Sequence, residues 1–220
     1  MNDQEIIDLT MVFVQETLKG AEGGHDWFHT HRVFLNSKHI AKGEGIDNIV
    51  VSLGALLHDI ADAKFHDGDE SVGPKLAKDF LDSIMVKPEV IAHVVNIIKH
   101  ISFKNSLSND GMAKFDSKAL QIVQDADCLD AIGAIGIARA FNYGGFKNRE
   151  LYNPDILPNL NLTKEEYKKS ATPTINHFYE KLLLLKDKMN TPTGKKMAEE
   201  RHEYMLNFLD RFYKEWNGNS

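Results

Sequence analysis

Cysteine is almost absent from this chain: its 220 residues hold only Cys128. That excludes an internal disulfide and any zinc site built from several thiolates. Net positive charge is also missing, with 26 Lys and Arg against 32 Asp and Glu and a formal charge of −6. No global basic field therefore recruits nucleic acid, and a phosphate-bearing ligand must be met by local Lys and Arg or by a cation. No apolar stretch approaches the roughly 20 residues that span a bilayer. The first segment, MNDQEIIDLTMVFVQETLKG, is acidic and amphipathic and does not read as a signal peptide. The expected location is the cytoplasm. Internal repeats, low-complexity linkers and alternating strand patterns of useful length are missing too. What is present, 42% hydrophobic and 26% charged residues, is ordinary for a soluble globular protein with a normal core.

Helical spacing fills most of the chain. Ile6, Leu9, Val12, Phe13 and Leu18 mark a helix over Glu5–Lys19, closed by Gly20. A second covers Asp26–Lys42 and ends at Gly43 and Gly45. Asp47 is placed to cap a third, which runs to His58. Asp62–Gly73 reads as a loop, Pro74–Met85 as a short helix, and Glu89–Ile101 as a helix with Pro88 in its first turn. Ser102–Gly111 is polar and loop-like. Ser117–Tyr143 is compatible with one long helix, whose small residues Ala131, Gly133, Ala134, Gly136 and Ala138 suit close packing. Gly144–Leu162 is the longest irregular candidate, and such segments are often lids or binding loops. Thr172–Met189 and Thr193–Trp216 read as two final helices. The expected fold is all-α, a single domain over residues 1–220.

The third helix, IVVSLGALL, is apolar throughout and leads directly into His58 and Asp59. Burying an imidazole and a carboxylate costs several kcal/mol unless each finds a partner. Backbone groups at the helix end are one kind of partner, and a divalent metal is another. Other pieces bear on the choice. GHDWFHTHRV, residues 24–33, opens the second helix, and DADCLD occupies 125–130. His29, His58, Asp59 and Asp127 together offer mixed nitrogen and oxygen ligands from separate helices. Such a set suits Mn, Mg, Fe, Co, Ni or Zn according to geometry and supply. His25 and His29, spaced i and i+4, could chelate as a pair.

The order His, then His-Asp, then Asp resembles the HD-domain metal-dependent phosphohydrolase superfamily. The defining region spans about residues 24–130. GHDWFHTHRV, GALLHDIAD and VQDADCLDAIGAIGIARAF carry it, and HFYEKLLLLKDKMNT and AEERHEYM extend it to about Leu206. The flanking segments resemble a bacterial branch of single-domain nucleotide phosphohydrolases. The resemblance implies one divalent ion on His29, His58, Asp59 and Asp127, and helices of residues 172–216 packed on the motif region. A divalent ion lowers the pKa of bound water and polarises a phosphoryl oxygen, which is what phosphoanhydride hydrolysis needs.

Asp62, four residues after His58, faces the same cavity if the helix continues and is the candidate general base. Its bland alternative is a solvated helix-terminal acid. Arg32, three residues after His29, is the candidate phosphate contact or brace for a ligand carboxylate. His25 is read as supporting the ligands or touching phosphate, and His31 as solvent-exposed. His93 and His100 share a helix face and would serve a second ion or, more simply, packing or substrate contact. Asp130 shares a face with Asp127, whereas Asp125 reads as a cap or surface acid. Lys104 and Lys181 lead the phosphate candidates, ahead of Lys64, Arg139, Lys147 and Arg201. Tyr143, Phe146 and Tyr152 could stack on a base, or simply pack.

The expected function is divalent-metal-dependent hydrolysis of a nucleotide, such as release of pyrophosphate from a nucleoside triphosphate. A cyclic-dinucleotide phosphodiesterase would carry Gly-Tyr-Pro after the His-Asp pair, and an alarmone hydrolase Glu-Asp; neither is present. The alternative from another class is a non-catalytic nucleotide- or metal-sensing module.

Overall fold

The structure, a computed structural model, describes residues 1–20, 26–46, 48–61, 69–101, 115–160 and 172–219. Every regular element among them is helical: nine α-helices and one 3₁₀ segment. The described chain forms two compact units, Met1–Asp127 and Cys128–Ser220. The all-α expectation holds.

The first unit begins with α1 (Asp3–Thr17), which opens on a capping box. The Asn2 side chain accepts from the Glu5 N–H at 2.9 Å, and Glu5 accepts from the Asn2 N–H at 2.9 Å. Two donors that a helix start leaves unpaired are thereby satisfied. Next come α2 (Trp27–Gly43) and α3 (Ile49–Leu57). The cap of α3 is Asn48, not Asp47: the Asn48 side chain accepts from the Val51 N–H at 3.2 Å. Asp47 itself lies outside the described residues. The unit continues with α4 (Val72–Ser83), α5 (Pro88–His100) and most of α6 (Lys118–Asp130).

The apolar α3 packs against α1, α2 and α5, which explains why it needs no polar face. Leu53, Leu56 and Leu57 are fully buried. Each such side chain contributes about 1.5–3 kcal/mol by leaving water. At Gly54 a Cβ would stand only 3.0 Å from Ile97 Cδ1, so the missing side chain lets α3 and α5 approach.

The second unit carries α7 (Gly133–Phe146), α8 (Thr174–Glu180), the 3₁₀ segment Leu182–Lys188 and α9 (Pro192–Trp216). The single helix expected over Ser117–Tyr143 is two. It breaks at Ala131 and Ile132, whose N–H groups turn back to the Cys128 and Leu129 carbonyls. Gly133 then adopts φ +75°, a conformation that side chains disfavour. A Cβ there would also stand 2.9 Å from Arg201 Cγ. Beyond it, α7 runs three residues further than expected, and Gly144 within it is buried against Thr174, where a Cβ would meet Oγ1 at 2.2 Å. The expected helix Thr172–Met189 is also split, at Lys181, whose φ of −145° and ψ of −57° leave the helical region. Phe141, Phe178, Phe208 and Phe212 form a chain of ring contacts between α7, α8 and α9.

Candidate metal centre

The first histidine of the site is placed by a cap. Asp26 precedes α2, and its carboxylate accepts from the His29 N–H at 2.8 Å. This fixes the first turn of α2 and puts His29 on its buried side. His58 follows the last residue of α3 and is also buried. Its Nδ1 lies 2.8 Å from the Ala55 carbonyl. A carbonyl only accepts, so Nδ1 carries the hydrogen and Nε2 presents a lone pair. That is the usual way a ligating imidazole is oriented. Asp59, half-buried, comes next, and the last turn of α6 supplies Asp127.

Three of these residues cluster, and the fourth stands beside the two imidazoles. His29, His58 and Asp59 offer donor atoms that all lie within 4.8 Å of one another. Asp127 Oδ1 is 3.5 Å from His29 Nε2 and 3.9 Å from His58 Nε2. Both separations exceed the hydrogen-bond range. They fit two donors sharing one ion, which stand roughly 3–4.2 Å apart when each bond is about 2.1 Å. The imidazoles are buried while the Asp127 side chain is 43% exposed, so the cluster is closed on one side and open on the other. A cation held by buried donors with an open face is the arrangement catalytic metal sites share. The donor set fits a divalent ion, and its mixed N/O character does not select among first-row metals and Mg.

The remaining candidates fall elsewhere. Arg32 is half-buried, three residues beyond His29 on α2. His25, Asp62, Lys64 and Lys104 lie outside the described residues. His31 is not the exposed residue expected: it is half-buried between Trp27 and Phe34, with ring centroids 5.2 and 6.4 Å away. His93 and His100 both pack on Phe115, at 5.6 and 5.4 Å. His93 Nε2 also meets Ser117 Oγ at 2.9 Å, and His100 Nδ1 donates to the Asn96 carbonyl at 2.8 Å. Packing therefore accounts for this pair. Asp125 is buried, contrary to its reading as a surface acid.

In the second unit Lys181 is exposed on its surface. Lys147 lies over the rings of Tyr143 and Phe146, both of which belong to α7. Tyr152 packs edge-on to Phe212, Tyr213 and Trp216. Arg139 and Arg201 are held by the end of α6: Arg139 pairs with Asp130 at 2.5 Å, and Arg201 donates to the Leu129 carbonyl. Sequence reasoning missed the Asp26 cap, although an Asp ahead of an amphipathic run is a helix-start signal.

One titration follows from the second unit. Burial, with the positive charges of Lys181 and Arg149, pushes the His177 pKa down to about 4. The unfolded chain keeps the ordinary value near 6.5 and so binds the proton first. Stability from this group is present above pH ~6.5 and is lost as pH falls toward 4. Urea midpoints measured from pH 7 to 4 should fall, and His177→Gln should flatten that slope. An unchanged slope in the variant would assign the acid sensitivity to other groups.

Comparison with known proteins agrees with the geometry. The HD domain family model matches residues 27–132, a range that contains His29, His58, Asp59 and Asp127. YpgQ of Bacillus subtilis is 38% identical over 208 residues, covering 94% of this chain and 91% of its own. A crystal structure of an HD-superfamily hydrolase from Bacillus thuringiensis superposes with a TM-score of 0.78 at 41% identity, covering 98% of this chain and 99% of that one. The crystal structure of B. subtilis YpgQ in complex with ADP superposes with a TM-score of 0.75, covering 98% and 97%. The chain belongs to the HD-domain superfamily of hydrolases.

Proposed function

We propose that this chain is a divalent-metal-dependent phosphohydrolase acting on a nucleotide, with release of pyrophosphate from a nucleoside triphosphate as the favoured reaction. The observation that carries the reading is the cluster of His29, His58 and Asp59, with Asp127 Oδ1 beside both imidazoles. The ADP held by the B. subtilis relative supports a nucleotide as the ligand. We further read residues 1–220 as one functional domain working in the cytoplasm. No helix among the described residues is long and apolar enough to cross a membrane.

In this reading His29 and His58 give neutral nitrogen lone pairs, and Asp59 and Asp127 give two negative charges that balance a dication. Bound there, the ion supplies Lewis-acid polarisation of a phosphoryl oxygen and activation of water. Asp62 accepts the proton of the attacking water at its carboxylate. Arg32, His25, Lys104 and Lys181 are the groups assigned to phosphate oxygens, where positive charge offsets the charge developing in transfer.

The test is product release from a nucleotide panel after chelation and add-back of Mn, Mg, Co, Ni, Fe or Zn. The expected result is metal-restored cleavage of at least one nucleoside triphosphate, with pyrophosphate as product. Metal-dependent nucleotide binding without turnover across the panel would favour a sensing module instead.

A further inference from the structure

Helix α6 ends badly by local criteria. Its last turn carries Asp127 and Asp130 and no basic residue, so acidic charge sits at the negative end of the helix dipole. The final carbonyls of a helix also lack intrahelical partners. Two arginines, neither of them in α6, answer both problems. Arg139 of α7 donates from Nη1 to the Asp130 carbonyl at 3.1 Å and to Asp130 Oδ2 at 2.5 Å. Arg201 of α9 donates to the Leu129 carbonyl, which also accepts from the Ile132 N–H. Burial lowers the Arg201 pKa, and the Asp130 carboxylate offsets part of that effect. The Arg201 stem fills the space where a Cβ of Gly133 would stand. Asp130 is buried, so these contacts are partly shielded from solvent, where exposed ion pairs are worth little.

We propose that Arg201 and Arg139 are positioning residues for Asp127, holding the end of α6 so that this carboxylate stays at the metal centre. The inference rests on the metal-site reading above. Asp127 lies two residues before Leu129 and three before Asp130, within the same last turn. If that turn frays, the Asp127 Cα moves with it. A metal site tolerates only about 0.5 Å of displacement in its ligands. The two arginines thus act on the ligand through the backbone of one helix, without touching the ion or the substrate.

The test is Mn(II) affinity of the full chain, measured by calorimetry with no nucleotide present. Arg201→Gln and Arg139→Gln remove one contact set each, and Arg201→Lys keeps a donor and the charge. Loss of supporting contacts around metal ligands typically costs 10–100-fold in affinity. We expect Arg201→Gln to weaken Mn(II) binding by about tenfold or more on that scale. Arg139→Gln should weaken it to a smaller extent, and Arg201→Lys should recover part of the loss. A merely structural clamp would lower the melting temperature and leave Mn(II) affinity unchanged in folded protein; that result overturns the inference. Should Arg201→Gln fail to fold, Arg201→Lys and Arg139→Gln decide by the same criterion. The unsubstituted chain separates the two readings. If it binds neither Mn(II) nor Zn(II), the metal site itself is wrong and the inference falls with it.

Discussion

Replacing Asp59 by alanine is expected to strip the divalent ion and take most of the turnover with it. Asp59 is one of the three residues whose donor atoms gather within 4.8 Å, and it supplies the only carboxylate among them. Removing it leaves a dication facing two neutral imidazoles and the Asp127 carboxylate. One of two balancing charges is then gone, and the Lewis acid leaves with it. Such an acid is worth several kcal/mol of transition-state stabilisation, and each 1.36 kcal/mol is tenfold in rate. The expected loss is on the order of 10³-fold or more in kcat/KM, with elemental analysis reading less than one ion per chain. Full metal content with unchanged rate would remove Asp59 from the site.

The second large effect is expected at Asp62, where the chemistry and the metal should come apart. Asp62→Asn keeps shape and hydrogen bonding but cannot accept a proton. Metal content should stay at the level of the unsubstituted chain. Turnover should fall by about 10²-fold or more, the size expected for a positioned acid–base group. The contrast with Asp59→Ala gives the pair its value, since one variant loses the ion and the other keeps it. Near-normal turnover in Asp62→Asn with the metal retained would leave water activation to the ion alone. Loss of metal would instead make Asp62 a ligand or a support for one.

The clustering of His29, His58 and Asp59 was more legible in the sequence than the surrounding helix ends. IVVSLGALL is apolar on every side, and only a helix covered by neighbours can be so; a polar pair at its end therefore had to be buried or partnered. His29 and Asp127 are singled out as candidate ligands only by the motif order of the family resemblance, because DADCLD offers three acids and local spacing does not choose among them. Asp125 was misread for the same reason. Whether an acid on a helix is buried depends on what packs there, and that is not a local property.

The helix break at Gly133 was hidden in a run of small residues that reads equally well as continuous helix. What stops the helix there involves the stem of Arg201, which lies far along the chain and fills the space beside the glycine. In the sequence Arg139 and Arg201 read as possible phosphate contacts, because a cation there has no visible partner. In the structure their partners are the carbonyls and carboxylate at the end of α6. Periodicity reports which face of a helix is apolar. It does not report which distant side chain will finish the helix.

The most direct test of the account is where the ion sits. Crystals grown with Mn(II), with data collected across the Mn absorption edge, would locate it by anomalous scattering. The account predicts one strong peak about 2.0–2.3 Å from His29 Nε2, His58 Nε2 and carboxylate oxygens of Asp59 and Asp127. A peak held by His93 and His100, or by His25 without His58, would contradict it.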